Sequence, residues 1–172
     1  MPQTLDDLMR ELQFDHSDLE ANRYGELGEN QRTRLRQMRM RYLIGGIGVM
    51  LGISIVAALF FYWGISQDNP ILNIIALAVI FFDALGMTLL GRHYALLSAE
   101  LSDGTIETFE GEIERVIRPQ GRRAGQYLLR IDDAEFYVPK EVFKHFIHQA
   151  RYRVYCSPRT RTLLAAELIE ER

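Results

Sequence analysis

Two apolar stretches of 21 residues, with a single charge between them, constrain this chain more than any other feature. Residues 43–63 read LIGGIGVMLGISIVAALFFYW and carry no charge, whereas residues 71–91 read ILNIIALAVIFFDALGMTLLG and carry only Asp83. At the rise of an α-helix each would reach about 31 Å, enough to cross the hydrocarbon core of a bilayer. Burying both inside a soluble protein would need far more surrounding chain than the 172 residues supply. The expectation is a transmembrane helical hairpin turned by the polar loop 64–70. Its first span lies 42 residues from the start, behind charged sequence, and is too long for the apolar region of a cleaved signal peptide. Arg32, Arg34, Arg36, Arg39 and Arg41 precede the first span and Arg92 and His93 follow the second, while the loop holds only Asp68. The positive-inside rule then sets both termini in the cytoplasm of a cell or inner membrane, with Tyr62 and Trp63 at the outer interface and Tyr42 and Tyr94 at the inner one. The lone Cys156 excludes a disulfide framework and fits a reducing compartment.

The flanks are polar and nearly neutral, with seven basic and eight acidic residues in 1–42 and twelve of each in 102–172. Three segments follow: cytosolic N-terminal helices over 1–42, the hairpin and its stalk over 43–101, and a cytosolic domain over 102–172. In the first, Thr4 with Asp7 resembles a capping box, and Leu5, Leu8, Met9 and Leu12 repeat at helical spacing. Its polar face is acidic, which suits docking on protein better than on anionic lipid. A second short helix begins at Ser17 or Asp18 and stops at Gly25, and a third starts near Glu29 and runs into the first span. Residues 15–26 have the length of a calcium loop, but Leu19 and Glu20 stand where a ligand and the turn glycine belong.

Beyond the stalk the pattern changes to period two over 106–117, 127–131, 135–138, 152–156 and 162–169, with turn signals at Pro119-Gln120-Gly121, Asp132-Asp133 and Ser157-Pro158. Pro139 opens a helix over 140–149 between the third and fourth strands. The order β-β-β-α-β-β predicts a small closed barrel of the OB type, with an SH3-like barrel as the alternative. A membrane hairpin followed by a small cytosolic β-domain is similar in layout to NfeD-like membrane proteins.

Asp83 falls at the depth of residues 51–54 of the first span, where Ser54 is the hydroxyl within reach. A carboxylate at that depth costs about 2.5–3.5 kcal/mol and marks a polar staple, a subunit contact or a proton or ion path. Gly48 and Gly52 form a GxxxG pair suited to close helix packing. In the domain, strand parity points Arg130, Tyr137, Arg153 and Tyr155 away from an apolar core, as a candidate partner face. With no basic excess, nucleic acid is disfavoured on that face. Arg118, Arg122, Arg123, Arg159 and Arg161 lie in loops that could meet lipid phosphates, although 18 arginines against two lysines weaken any argument from arginine alone. His145 and His148 stand at i and i+3 behind Glu141, a spacing that offers two metal ligands without a cluster to complete the site, so no metal is assigned. No nucleophile and base, phosphate loop or paired carboxylates point to catalysis, and no cofactor is expected. The expectation is a non-enzymatic integral membrane protein, an accessory or scaffold subunit that docks a protein partner or assembles as a homo-oligomer in contact with lipid. The alternative is a small proton- or ion-transport subunit that uses Asp83 after oligomerisation.

Overall fold

The computed structural model describes residues 5–120 and 123–169, without the side chains of Gln120, Arg123 and Ala124. Thr4, Gly121, Arg122 and the Arg123 side chain, which figure in the expected cap, turn and lipid contact, lie outside that description. The chain divides into two compact units, Leu35–Ala99 and a second built from Met1–Arg34 with Glu100–Arg172.

The first unit is the hairpin. Helix α3 (Glu29–Ser66) and helix α4 (Pro70–Asp103) run through it, and both are long and apolar enough to cross a membrane. Their apolar side chains point outward, with Ile44, Leu51, Ile55, Phe81 and Phe82 each at least 60% exposed. An outward apolar surface of this kind is stable in lipid and unstable in water. Between the helices, Ala57 and Ala76 are buried and the backbones approach closely where side chains are small. A Cβ on Gly46 would lie 2.6 Å from Leu90, and one on Gly64 would lie 2.1 Å from Asn73 Oδ1. At the far end from the turn, the Tyr42 and His93 rings meet edge to face at 4.7 Å and Arg39 lies over the Tyr94 ring.

The second unit draws on both ends of the chain. Its N-terminal part holds α1 (Leu5–Leu12) and α2 (His16–Arg23), and its C-terminal part holds β1 (Glu107–Gln120), β2 (Arg123–Ile131), β3 (Ala134–Tyr137), α5 (Lys140–Lys144), β4 (Arg151–Cys156) and β5 (Leu163–Leu168). All strand pairs are antiparallel in the order β3-β2-β1-β4-β5. The long β1 serves two partners in turn, pairing with β4 from Glu107 to Glu112 and with β2 from Ile113 onward. The exchange follows Gly111, where a Cβ would sit 3.0 Å from the Ile131 side chain.

The sheet is open, ending at β3 and β5, so the expected closed barrel is not formed among the described residues. The physical reason lies in α1 and α5. Helix α1 packs on β5 and on α5, and α5 packs on β2, so helices cover the face that strand closure would seal. Leu8, Leu12, Phe14 and Leu19 from the N-terminal segment share one core with Ile113, Leu129, Ile131, Phe136, Tyr152, Val154 and Cys156 of the sheet and Phe143 and Phe146 of the α5 region. Ring pairs Phe109–Phe136, Tyr127–Phe143 and Phe146–Tyr152 at 5.0–5.6 Å fill it. Thus the segments 1–42 and 102–172, distinct in sequence, contribute to one folded body.

Two boundaries differ from expectation. Helix α5 stops at Lys144, because His145 leaves the helical conformation and Phe146 turns into the core. Its start at Lys140 behind Pro139, which occupies the N-cap, is as expected. Pro119 lies inside β1 instead of ending it, at a register shift between Arg118 and Gln120 that spares the ladder a missing donor.

Candidate functional site

Within the hairpin, Ser54 donates its hydroxyl to Asp83 Oδ2 at 2.6 Å, the pairing read from their matched depth. The other carboxylate oxygen, Oδ1, is out of contact with solvent and has no hydrogen-bond partner. Gly48 and Gly52 do not take part in the helix contact: a Cβ on either would meet nothing within 4 Å. Gly46, Gly64 and Gly86 perform the close approaches, with Gly86 against Met50. The missed signal was the 3.6-residue period itself, which turns Gly46 inward when Gly45, Gly48 and Gly52 face out.

In the second unit, the residues expected on one outward face divide. Arg153 lies directly opposite both Glu110 and Glu167 across β1, β4 and β5, and Arg130 lies opposite both Glu114 and Glu135 across β1, β2 and β3. Each Glu-Arg-Glu row gains a second arginine, since Arg23 of α2 ion-pairs with Glu167 and Arg118 with Glu135 at 2.7 Å. Charge on this face is therefore matched internally, which removes the uncompensated positive field a polyanion would need. Tyr155 is only 1% exposed and donates its hydroxyl to Glu167 at 2.7 Å, whereas Tyr137 is 61% exposed. Burial alone would raise the Glu167 pKa, but the bonds from Arg23 and Tyr155 outweigh it and hold the carboxyl below its ordinary value. Arg159 and Arg161, which the sequence offers as possible lipid-phosphate contacts, pair with Asp103 and Glu107.

Several polar side chains form closed hydrogen-bond sets, and Asp18, Asn22, Gln31 and Glu100 among them are buried. Asn22 and Gln31 exchange two side-chain hydrogen bonds of 2.8 Å, and Gln31 also accepts from the Gly28 amide. Asp15 and Asp18 form a reciprocal capping box at the start of α2, which uses the carboxylates of the would-be calcium loop. Glu100 is 2% exposed and accepts from the Arg159 and Thr160 amides and the Thr160 hydroxyl, fixing the β4–β5 loop. The shortened α5 means that His145 and His148 do not share a helix face, and no group of three or more His, Cys, Asp or Glu converges among the described residues. Cys156 is fully buried and its thiol is pushed up to about 11 by that burial, a poor nucleophile at neutral pH.

The chain matches no known family model, curated protein or solved structure.

Its chemistry therefore rests on its own geometry. That geometry offers a carboxylate bonded to Ser54 through one of its two oxygens in the hairpin, a charge-matched outer sheet face, and an open acidic cleft of about 430 Å³ lined by Phe109, Asp132, Asp133, Glu135 and Arg161. A smaller cleft between β1 and α5 is lined by Arg115, Ile117, Phe143 and His148.

Proposed function

We propose that this chain is a non-enzymatic integral membrane protein, an accessory or scaffold subunit whose hairpin anchors a folded cytosolic domain that docks a partner protein. The observation that carries this reading is the Ser54–Asp83 hydrogen bond, which closes the one charge of the two apolar stretches onto the neighbouring helix. A conducting path needs a series of polar groups, whereas one tied-off carboxylate serves as a staple. Arginine-rich sequence before α3 becomes apolar supports cytoplasmic termini. Exposed Tyr137 offers apolar area for a partner beside the neutralised ion-pair rows. The outward Gly48 and Gly52 leave room for a helix of another subunit. The sheet order would become that of a barrel if β3 and β5 met, so kinship with OB-like or SH3-like domains belongs to this proposal as well.

A second reading has one observation in its favour: the unpartnered Asp83 Oδ1 is a lone acceptor in apolar surroundings, as a proton- or ion-transport subunit would need. Purification from mild detergent separates the two. A stoichiometric partner protein, with proteoliposome flux unchanged by Asp83→Asn, supports the accessory role. A pure homo-oligomer whose flux disappears in Asp83→Asn supports transport and overturns it.

A further inference from the structure

We infer that the cleft between β1 and α5 is a binding site for a phosphate group, held by Arg115 and His148. Strand parity puts Arg115 on the inward side of β1, between Ile113, which is fully buried, and Ile117. A charge in that position would normally meet a carboxylate. The arginines 118, 130, 151, 153, 159 and 161 of the same domain all do so. Arg115 meets none among the described residues. Its guanidinium instead stacks on Phe143, 4.4 Å from the ring centroid, and its Nε–H is shut off from water without an acceptor. The remaining guanidinium N–H groups have no acceptor among the described residues either, and these are the donors that the cleft offers to an anion.

His148 supplies the second donor. Its Nδ1 accepts the Arg115 backbone N–H at 3.2 Å, so in the neutral ring the proton resides on Nε2, which is left free to donate. The cleft has a volume of about 270 Å³ and none of its lining residues among those described is acidic. Ile117 is 58% exposed at this cleft, an apolar wall beside the Arg115 cation and the His148 donor. A cationic fork with an adjacent apolar wall suits a phosphate that carries carbon substituents. Two sources share that chemistry, a phospholipid headgroup and a soluble phosphomonoester. The lipid source rests on the membrane reading above, whereas the phosphate site does not.

The test uses the full chain in nonionic detergent. Native mass spectrometry compares retained phosphatidylglycerol with phosphatidylcholine, and thermal unfolding compares added inorganic phosphate with chloride at equal ionic strength. Arg115→Gln keeps an uncharged stem over Phe143 and should weaken retention or phosphate stabilisation about tenfold. Arg151→Gln, at an exposed arginine paired with Glu110, should leave both unchanged. Arg115-dependent phosphatidylglycerol retention supports the site with a lipid source, and Arg115-dependent stabilisation by inorganic phosphate alone supports it with a soluble source. Equal behaviour of wild type and Arg115→Gln, or an equal loss in Arg151→Gln, overturns the site. If Arg115→Gln does not fold, His148→Ala decides: a loss of about threefold supports the site, and unchanged binding overturns it.

Discussion

Tyr155 shows how a residue assigned to a surface by parity becomes part of a core. Alternation places it opposite Tyr152 and Val154, yet α2 sends Arg23 to the same carboxylate that Tyr155 bonds, and the ring is lost to solvent. Its neighbour Arg153 remains partly exposed as expected. Tyr155→Phe should therefore destabilise the domain by about 1 kcal/mol through the lost bond to Glu167, read from hydrogen exchange of β4 and β5 amides in the full chain. Asp83 was legible because one carboxylate in an apolar span is conspicuous and residue depth can be counted. Arg115 was not: among so many arginines, a single one in an apolar register gives no signal until its neighbours are seen to be paired. Titration also acts at this scale. Asp15, held by the Asp18 amide, and Glu167 have folded-state pKa values below their ordinary 3.8 and 4.5. Their contribution is fully present above those values and is lost as pH falls through the folded ones. Cys156 behaves oppositely, since an ordinary thiol near 9.0 rises to about 11 on folding. Its contribution is intact below pH 9.0 and disappears as pH rises toward about 11. Hydrogen exchange of the β4 amides should accordingly show a stability plateau that falls at both ends, and a Cys156→Ala chain should lose less of its stability above pH 9.0 than wild type.

Among elements, α1 makes the largest difference between sequence and structure. Its Leu8 and Leu12 stripe was plain from helical spacing, but nothing in one sequence says what such a stripe covers. It covers the core next to β5. Leu12→Ala should cost about 2–5 kcal/mol, measured by chemical denaturation, a loss far above that expected of a detached amphipathic helix. The strands were legible because period two is a local property. The open sheet was not, because closure depends on whether helices or strands seal the concave face. In the hairpin, Gly46→Leu should separate the helices, since its Cβ already overlaps Leu90, while Gly52→Leu should leave the hairpin intact. Intramolecular crosslinking between residues of α3 and α4 would show the difference, and equal yields would contradict the packing described.

At the scale of the whole chain, membrane-helix composition was the strongest sequence signal and the structure keeps it as two long outward-apolar helices. Domain organisation was less legible, because 1–34 and 100–172 are separated by the entire hairpin and only join in space. An antiparallel bridge between Glu26 and Thr105, with the Leu27 amide donating to the Gly104 carbonyl at 2.9 Å, ties the two parts of that unit. Gly104 adopts a φ of +63 there, so a side chain at 104 would strain the backbone of the tie and push aside the end of the Arg32 side chain, 2.8 Å from the Cβ position.

The shared core of α1 and β5 also sets an order in time. Helix α1 is synthesised before α3 and α4, and the strand it packs on, β5, after them, so Leu8, Leu12 and Phe14 lack their native cover while the two long apolar helices are made. Synthesis supplies roughly 5–20 residues per second, so that exposure lasts on the order of ten seconds. Through that interval the charged side chains Asp6, Asp7, Arg10 and Glu11 are what keep the uncovered apolar stripe of α1 in solution.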